Sequence, residues 1–346
     1  MTWERYRTAY YNDSFQILRR LVGPDALIMS RPVDRKLEYS PRDVVFMGWV
    51  GDEDGTYDGL TTALIYMLES GRRGYVGFGS DIGGYRSDPK VPLGRTKELF
   101  LRWTAIGALS SFMENGGSGE HRPWKFDDET TDIYRSWVNL HYKLVPYLYS
   151  EGTKVALAKN GTLMQPCENI QALSSHSYFL GPNIFVVPVL RDPAPDQTQR
   201  LWLPKSATNQ WINYFNTSIT HKARTHIYED TSRLDRIPVY VEQNSLMPMY
   251  DLEKSPSRSA FKFVLWGKAI LDRKTTTLFT RDGQRWSLEF DRAQRQLTVR
   301  LVEQFDSDKR QSWLWKFCQY VNEQELCSHS WLTLEDNASS QLEFVF

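Results

Sequence analysis

This sequence has few cysteines, no net charge and no long apolar run. The three cysteines, Cys167, Cys318 and Cys327, are widely spaced and predict neither a disulfide framework nor a zinc site. The 42 basic and 42 acidic residues give a net charge of zero, which provides no electrostatic case for nucleic acid or an anionic membrane. No apolar run approaches the roughly 18 residues of a membrane span. Residues 1–7 are charged and aromatic, so we expect no signal peptide there.

The remaining composition is that of a globular protein. Hydrophobic residues make up 41% of the 346 residues and charged residues 24%, which fits two or three folded domains. The six histidines show no metal-ligand spacing. Aromatic residues reach 14%. They line sugar-binding clefts but also fill cores, and for any single aromatic residue the core interpretation is favoured by about two to one.

Short apolar runs that end in glycine and a carboxylate are the most informative pattern. Residues 44–49 lead into Gly51 and Asp52, and residues 75–78 lead into Asp81. Such runs are typical of buried parallel strands. Carboxylates just after the carboxyl ends of strands lie where (β/α) barrels hold their active sites. We predict strands at 26–29, 44–49, 75–78 and 108–113, and helices at 4–20, 60–68, 96–107 and 129–159. This is four βα units, half of a closed barrel.

The pattern changes after residue 159. Short strands at 184–189, 201–204, 211–214 and 237–241 are separated by turns, which favours a β-sandwich. A second change near residue 252 precedes alternating strands at 275–280, 286–290 and 296–301. We therefore predict an α/β domain at 1–159 and two all-β sandwich domains at 160–252 and 253–346.

Several motifs occur together in an order that resembles a known enzyme family. They are Arg31, Trp49-Val50-Gly51-Asp52, Thr56-Tyr57-Asp58-Gly59-Leu60, Gly79-Ser80-Asp81-Ile82-Gly83-Gly84-Tyr85, Glu98-Leu99-Phe100-Leu101-Arg102-Trp103, Arg122-Pro123-Trp124 and Leu144-Val145-Pro146-Tyr147-Leu148-Tyr149. Any one of them is a weak signal. In this order and spacing, the chain resembles the C-terminal part of glycoside hydrolase family 31, the α-glucosidases and α-xylosidases. The resemblance covers nearly the whole chain and weakens after about residue 290.

The resemblance implies the second half of a (β/α)8 TIM-type barrel followed by two β-sandwich domains. It also implies retaining hydrolysis of an α-linked oligosaccharide or glycoside, without a metal or an organic cofactor. Asp52 matches the general acid/base. Arg31, Asp81, Trp49 and Tyr85 match substrate-binding positions. The nucleophile of the family lies at the end of barrel strand four, upstream of residue 1, so we expect an N-terminally truncated enzyme. An open half-barrel should also self-associate through its exposed edges.

Glu114 departs from the family pattern, in which Arg-x-His commonly follows this strand. Its carboxylate is expected either to meet a substrate hydroxyl, which we slightly favour, or to be buried against Arg122.

The residues by themselves leave other interpretations open. Without the resemblance, Asp52 belongs to a solvated acidic loop and Arg31 to the surface, while Asp81 is as well explained by capping the next segment. Trp49 and Tyr85 are by default core aromatics. The alternative function is a non-catalytic remnant that binds carbohydrate or serves only as a packing module.

Overall fold

The computed structural model describes residues 2–31, 40–168, 176–192, 197–253, 260–267, 273–281, 283–293, 296–304, 313–321, 324–327, 332–334 and 340–343. Three parallel strands and four α-helices form its first part. In chain order these are α1 (Trp3–Val22), β1 (Ile28–Met29), β2 (Val45–Trp49), α2 (Tyr57–Arg72), β3 (Gly77–Gly79), α3 (Lys97–Ala108) and α4 (Asp128–Ala158). The strand order β1-β2-β3 follows the chain, as in successive βα units. No helix in the described part of the chain is long and apolar enough to cross a membrane.

Each of the four helices begins at a capping side chain. Thr2, Thr56, Thr96 and Asp127 each accept a hydrogen bond from the backbone N–H three residues further on. Such caps satisfy one of the free N–H groups at a helix start and contribute about 1 kcal/mol each. Helix α3 has no solvent-facing side, since every residue from Leu99 to Ala108 is buried. It lies against α4, and both contribute to the largest apolar core.

The predicted strand at 108–113 does not form, and this corrects the four-strand prediction. Helix α3 continues to Ala108, and Ser110 Oγ lies within hydrogen-bond distance of the carbonyl oxygens of Gly107 and Phe112. Ser111 Oγ accepts from Phe78 N at 2.9 Å and donates to Phe78 O at 3.0 Å. A hydroxyl thus takes the ladder hydrogen bonds that a fourth strand would have made to β3, because serine side chains compete with backbone pairing. A single parallel bridge, Asp81 to Glu114, remains.

The β-rich part begins with eight strands. They are β4 (Met164–Pro166), β5 (Tyr178–Leu180), β6 (Ile184–Val186), β7 (Thr198–Leu203), β8 (Gln210–Asn213), β9 (Thr220–Lys222), β10 (Thr225–Asp230) and β11 (Val239–Glu242). Six of them form a sheet of order β4-β5-β6-β11-β8-β9, and β7 pairs with β10. Buried side chains from both sheets, including Phe185, Trp211 and Leu203, share one apolar cluster. The two sheets therefore bury their inner faces against each other.

A second pair of sheets follows. Its strands are β12 (Leu246–Tyr250), β13 (Ala260–Trp266), β14 (Arg273–Phe279), β15 (Gln284–Asp291), β16 (Gln296–Gln304), β17 (Trp313–Val321), β18 (Gln324–Cys327), β19 (Leu332–Leu334) and β20 (Ser340–Glu343). One sheet has the order β12-β13-β17-β18, with β19 beside β17, and the other has the order β14-β15-β16-β20. Phe263, Phe317, Trp286 and Leu288 join the two sheets in a common core. Strand β12 precedes the predicted boundary at 252 and pairs with β13 beyond it.

One disulfide was not expected from the cysteine spacing. Cys318 on β17 lies directly opposite Cys327 on β18 and is bonded to it, while Cys167 is a buried free thiol. The pairing depends on the antiparallel register of two neighbouring strands, which the spacing of the cysteines does not reveal.

Buried polar groups connect the helices to the β-rich part. Arg102 on α3 is 1% exposed and donates to the carbonyl oxygens of Thr231 and Arg233. On α4, Tyr147 donates to Leu180 O at 2.9 Å, and Ser150 Oγ accepts from Phe279 N at 3.0 Å. Buried donors and acceptors of this kind are costly to leave unpaired, so they fix how the parts are placed.

Candidate active site

The predicted site residues follow successive parallel strands. Arg31 comes two residues after β1, Asp52 three residues after β2 and Asp81 two residues after β3. Because the carboxyl ends of parallel strands lie at one edge of a sheet, the three side chains share that edge. Arg31 Nη1 lies 3.5 Å from Asp52 Oδ1, and both residues interact electrostatically with the Asp81 carboxylate. The structure thus brings together three of the six residues that the sequence singled out.

The backbone at Gly51 explains why Arg31 can approach Asp52. Gly51 has φ +129°, a conformation that side chains rarely adopt. A Cβ at this position would lie 2.7 Å from Arg31 Nε, so any other residue would push the guanidinium away. The glycine therefore makes room for the cation and lets the chain turn from β2 into the carboxylate.

Asp52 lies between two arginines and remains accessible. Its side chain is 34% exposed, with Arg31 at 3.5 Å and Arg86 Nη2 at 3.8 Å. Arg86 also donates to the backbone oxygen of Asp52. Both ion pairs are long and solvent-facing, so they hold the carboxylate in place only weakly. Asp52 is thus a half-open carboxylate, accessible to a ligand.

Asp81 is buried and lacks a partner for one oxygen. It is 7% exposed, and Oδ2 makes no hydrogen bond. Burial, followed by the negative charge of Asp52, raises the pKa of Asp81 from 3.8 to about 6. The Asp81 carbonyl accepts from Gly84 N at 2.9 Å, which closes the turn after β3.

Glu114 lies beside Asp81 through the single β-bridge, where Ile82 N donates to Glu114 O at 3.3 Å. Burial, together with the smaller effects of the charges of Asp81 and Glu53, raises the pKa of Glu114 from 4.5 to about 8. Its Oε1 has no partner. The alternative that Glu114 is buried against Arg122 is wrong, because Arg122 is exposed and pairs with Glu120 at 2.7 Å.

Glu53 is a site residue that the sequence reasoning missed. It is 9% exposed, and its Oε2 has no hydrogen-bond partner. Burial is the main reason that the pKa of Glu53 is raised from 4.5 to about 7, and the negative charge of Asp81 contributes to this rise. Its neighbour Asp54 is exposed, as a solvated acidic loop would be. The only available signal was its place next to Asp52 in the family-like motif.

The two predicted aromatic positions differ in exposure. Trp49 is half-buried at the end of β2, where it is paired with Gly79. Tyr85 is 42% exposed, so it is not a core aromatic, and its carbonyl accepts from Ser118 N at 2.7 Å. The assignment of either ring to a sugar-binding surface stays a prediction.

A buried arginine holds together the two loops that carry Asp81 and Glu114. Arg95 is 1% exposed and donates to Gly83 O at 2.8 Å and Gly84 O at 3.0 Å on one loop. On the other loop it donates to Ser118 O at 2.6 Å and to Glu120 O. Four carbonyl oxygens thus satisfy a guanidinium that makes no contact with the carboxylates of the site.

The carboxyl groups of Asp52, Glu53, Asp81 and Glu114 form an acidic cluster that is largely buried. Among the described residues, no group of three or more His, Cys, Asp or Glu side chains is arranged to hold a metal ion. A carboxyl group whose pKa is raised toward neutrality holds a proton that it can donate, as a general acid must.

A separate cavity of about 980 Å³ is lined by residues that precede β2 and β3, such as Arg42 and Tyr75, so it lies at the other end of the strands. The carboxylates, not this cavity, define the candidate site.

Comparison with family models identifies both the helical and the β-rich part of the chain. Residues 41–151 match the glycosyl hydrolases family 31 TIM-barrel domain. Residues 163–247 match the glycosyl hydrolase family 31 C-terminal domain. The chain belongs to glycoside hydrolase family 31.

Curated relatives are longer than this chain. An alpha-xylosidase of Emericella nidulans is 30% identical over 219 residues, which is 60% of this chain and 26% of the relative. The alpha-xylosidase XylQ of Lactiplantibacillus pentosus is 29% identical over 258 residues, covering 70% of this chain and 31% of that protein. The chain thus spans about a quarter to a third of the length of these relatives.

Solved structures show the same fold. The GH31 alpha-xylosidase of Xanthomonas citri superposes with a TM-score of 0.74 at 16% identity and covers 98% of this chain and 39% of that one. The GH31 dextranase FjDex31A of Flavobacterium johnsoniae, complexed with glucose, gives a TM-score of 0.71 at 19% identity, with coverage of 91% and 41%.

Proposed function

We propose that this chain carries the acid/base half of a retaining α-glycosidase site, with Asp52 as the general acid/base and Arg31, Asp81, Trp49, Tyr85 and Glu114 on the sugar. The observation that carries the proposal is the meeting of Arg31, Asp52 and Asp81 after three successive parallel strands. An accessible carboxyl group just after the carboxyl end of a barrel strand is in the position from which a proton can pass to and from a glycosidic oxygen.

The proposed architecture follows the resemblance. Residues 1–159 would be the second half of the barrel, 160–252 a proximal β-sandwich and 253–346 a distal one. The nucleophile would come from the preceding barrel strand, outside residues 1–346, since retaining hydrolysis needs a second carboxyl group about 5 Å from the first. The outer edges of β1 and β3 would then be open, and copies of the chain would self-associate through these edges.

Sugar binding is the first test of this proposal. We expect residues 1–346 to bind methyl α-D-glucoside or methyl α-D-xyloside weakly, measured by titration with NMR detection. Asp81→Asn should weaken binding about tenfold or more, because it removes a charged acceptor for sugar hydroxyls. Asp54→Asn, in the same loop region but exposed, is the matched control and should bind like the original chain. A folded chain that binds neither glycoside would overturn the sugar-site assignment.

Turnover separates the enzyme from the alternative, a non-catalytic carbohydrate-binding remnant. We expect the isolated chain to release no 4-nitrophenol from aryl α-glucosides or α-xylosides beyond an Asp52→Asn control. When the preceding barrel strands are supplied, Asp52→Asn should reduce turnover of a disaccharide by about 10²–10⁴-fold, the usual contribution of general acid/base catalysis. Full activity of that variant would exclude Asp52 as the acid. Asp52-dependent release by the isolated chain would place the second carboxylate within this chain.

A further inference from the structure

The disulfide between Cys318 and Cys327 indicates the kind of compartment in which the chain folds. The two residues are paired across β17 and β18, and Cys318 is fully buried in the largest apolar core. Forming the bond removes two protons and two electrons from the thiols, and an oxidant has to accept them. Structural disulfides persist in oxidising compartments such as the secretory pathway and are rare where thiols are kept reduced. A disulfide built into one of the sheets therefore favours folding in an oxidising compartment.

The sequence also contains acceptor motifs for a modification made in that pathway. Asparagine followed by any residue except proline, and then by serine or threonine, accepts an N-linked oligosaccharide. The motif occurs at Asn12, Asn160, Asn216 and Asn337, of which Asn337 lies outside the described residues. Short motifs also arise by chance, so the surroundings of each asparagine decide whether the folded chain can carry a bulky glycan there.

Asn160 is the acceptor that the fold presents to solvent. Helix α4 ends at the C-cap Lys159, whose φ of 51° turns the chain out of the helix, and Lys159, Asn160 and Gly161 are all exposed. Asn160 Oδ1 accepts from Gly161 N at 2.9 Å, while its Nδ2, the atom that is glycosylated, makes no hydrogen bond to the described residues. A Cβ built on Gly161 would meet only Val155 Cγ2, at 4.0 Å, so the space around this turn is open.

The other two described acceptors are less exposed. Asn12 is half-buried in the middle of helix α1. Asn216 is half-buried in the turn between β8 and β9, where its Oδ1 accepts from Ser218 N at 3.1 Å and from Ser218 Oγ at 2.6 Å. Exposure therefore singles out Asn160 among the described acceptors.

A glycan on Asn160 would not obstruct the candidate active site. Asn160 and its neighbours Lys159 and Gly161 line the cavity of about 980 Å³ at the end of the strands opposite Arg31 and Asp52. An oligosaccharide attached there would therefore extend from the far end of the sheet and leave the carboxylate edge accessible.

We propose that Asn160 carries an N-linked oligosaccharide, added as the chain enters an oxidising secretory compartment. The donor class is an oligosaccharide linked to a polyprenyl diphosphate. Asn160 Nδ2 loses one proton to a base of the transferring enzyme and forms a bond to C1 of the first sugar. The bond between C1 and the diphosphate oxygen breaks, and the polyprenyl diphosphate leaves. The leader that directs entry would precede residue 1, and the inference does not depend on the proposed sugar site.

The first experiment uses the protein isolated from the cells that produce it. Peptides are mapped by mass spectrometry after enzymatic release of N-linked glycans in isotopically labelled water, which converts each glycosylated asparagine into a labelled aspartate. We expect the label at Asn160 in most molecules, and less at Asn12 and Asn216. Alkylation in denaturant should modify Cys167 and leave Cys318 and Cys327 unmodified until a reductant is added.

The second experiment locates the acceptor with variants. Residues 1–346 are expressed behind a cleavable leader in a eukaryotic host, and both cells and medium are analysed. Thr162→Ala should abolish the glycan on Asn160, because the motif loses its hydroxyl, whereas Thr162→Ser should retain it. Thr153→Ala removes a hydroxyl from the lining of the same cavity but outside the motif, so it is the matched control and should retain the glycan.

The unfavourable outcomes are distinct. An unmodified Asn160 in the leader-directed chain, or a modification that survives Thr162→Ala, overturns the inference because the turn is then not the acceptor. A glycan in that chain but not in the protein from its own cells overturns it as well, since the chain then does not enter the secretory pathway. Alkylation of Cys318 and Cys327 without a reductant in the isolated protein has the same meaning. None of these results bears on the candidate active site.

Discussion

Glu114→Gln should stabilise the protein at neutral and alkaline pH, although it removes a charged residue. The pKa of Glu114 rises from 4.5 in the unfolded chain to about 8 in the folded protein. The stability associated with this group is therefore fully present below pH 4.5 and is lost as pH rises toward 8. The difference between these two values corresponds to at most about 5 kcal/mol, at 1.36 kcal/mol for each tenfold change. Because Glu114 is only half-buried, solvent screens its charge, and we expect a gain of about 2 kcal/mol at pH 8.

Urea denaturation followed by tryptophan fluorescence at pH 4.5 and pH 8 measures this effect. At the lower pH the glutamate is mostly protonated in the folded state, so the variant and the original chain should differ little. Asp54→Asn is the control for removing an exposed carboxylate at the same edge and should change stability by less than about 0.5 kcal/mol at either pH. A Glu114→Gln variant that is equally or less stable than the original chain at pH 8 would refute the assignment of Glu114 as an uncompensated buried acid.

Three further substitutions test contacts that position the site. Arg95→Gln should destabilise the protein by about 3 kcal/mol or more, since it leaves several buried carbonyl oxygens unpaired. It should also speed hydrogen exchange of the backbone amides at 83–86 and 118–121. Unchanged exchange at these amides would show that Arg95 does not hold the two loops. Ser111→Ala should lower the free energy of unfolding, measured by urea denaturation, by about 1–3 kcal/mol, because the two hydrogen bonds to Phe78 are lost. Ser136→Ala, on the exposed face of α4, is the control. A loss for Ser111→Ala no larger than that of the control would mean that this hydroxyl does not replace a strand. Arg102→Gln should separate unfolding of the helical part from that of the β-rich part in calorimetry, and a single unaltered transition would contradict its role at that junction.

The sequence predicted the geometry of the site best where strand direction alone determines it. Arg31, Asp52 and Asp81 each follow an apolar run, and parallel strands deliver such residues to one edge whatever the intervening loops do. The same reasoning fails for residues 108–113, which are as apolar as a strand requires. There the outcome depends on whether Ser111 bonds through its side chain or its backbone, and this is decided by its contact with Phe78.

The burial of Glu53 could not be predicted for a different reason. Glu53 and Asp54 are neighbours of the same charge, yet Glu53 is 9% exposed and Asp54 faces solvent. The difference arises because Glu53 O accepts from Arg86 N, so a segment more than thirty residues away fixes which way this loop turns. No local pattern in the sequence contains that information.

The composition of the whole chain also conceals the local charge at the candidate site. The formal net charge of zero gives no reason to expect a charged partner. A binding site, however, responds to charge within a few ångströms, where the dielectric is low and screening is weak. At the edge of this sheet Arg31 and Arg86 pair with Asp52, whereas Arg95 and Arg102 are engaged by backbone carbonyls. Glu53, Asp81 and Glu114 therefore lie in a locally acidic and buried environment, and burial raises the pKa of each of these carboxyl groups.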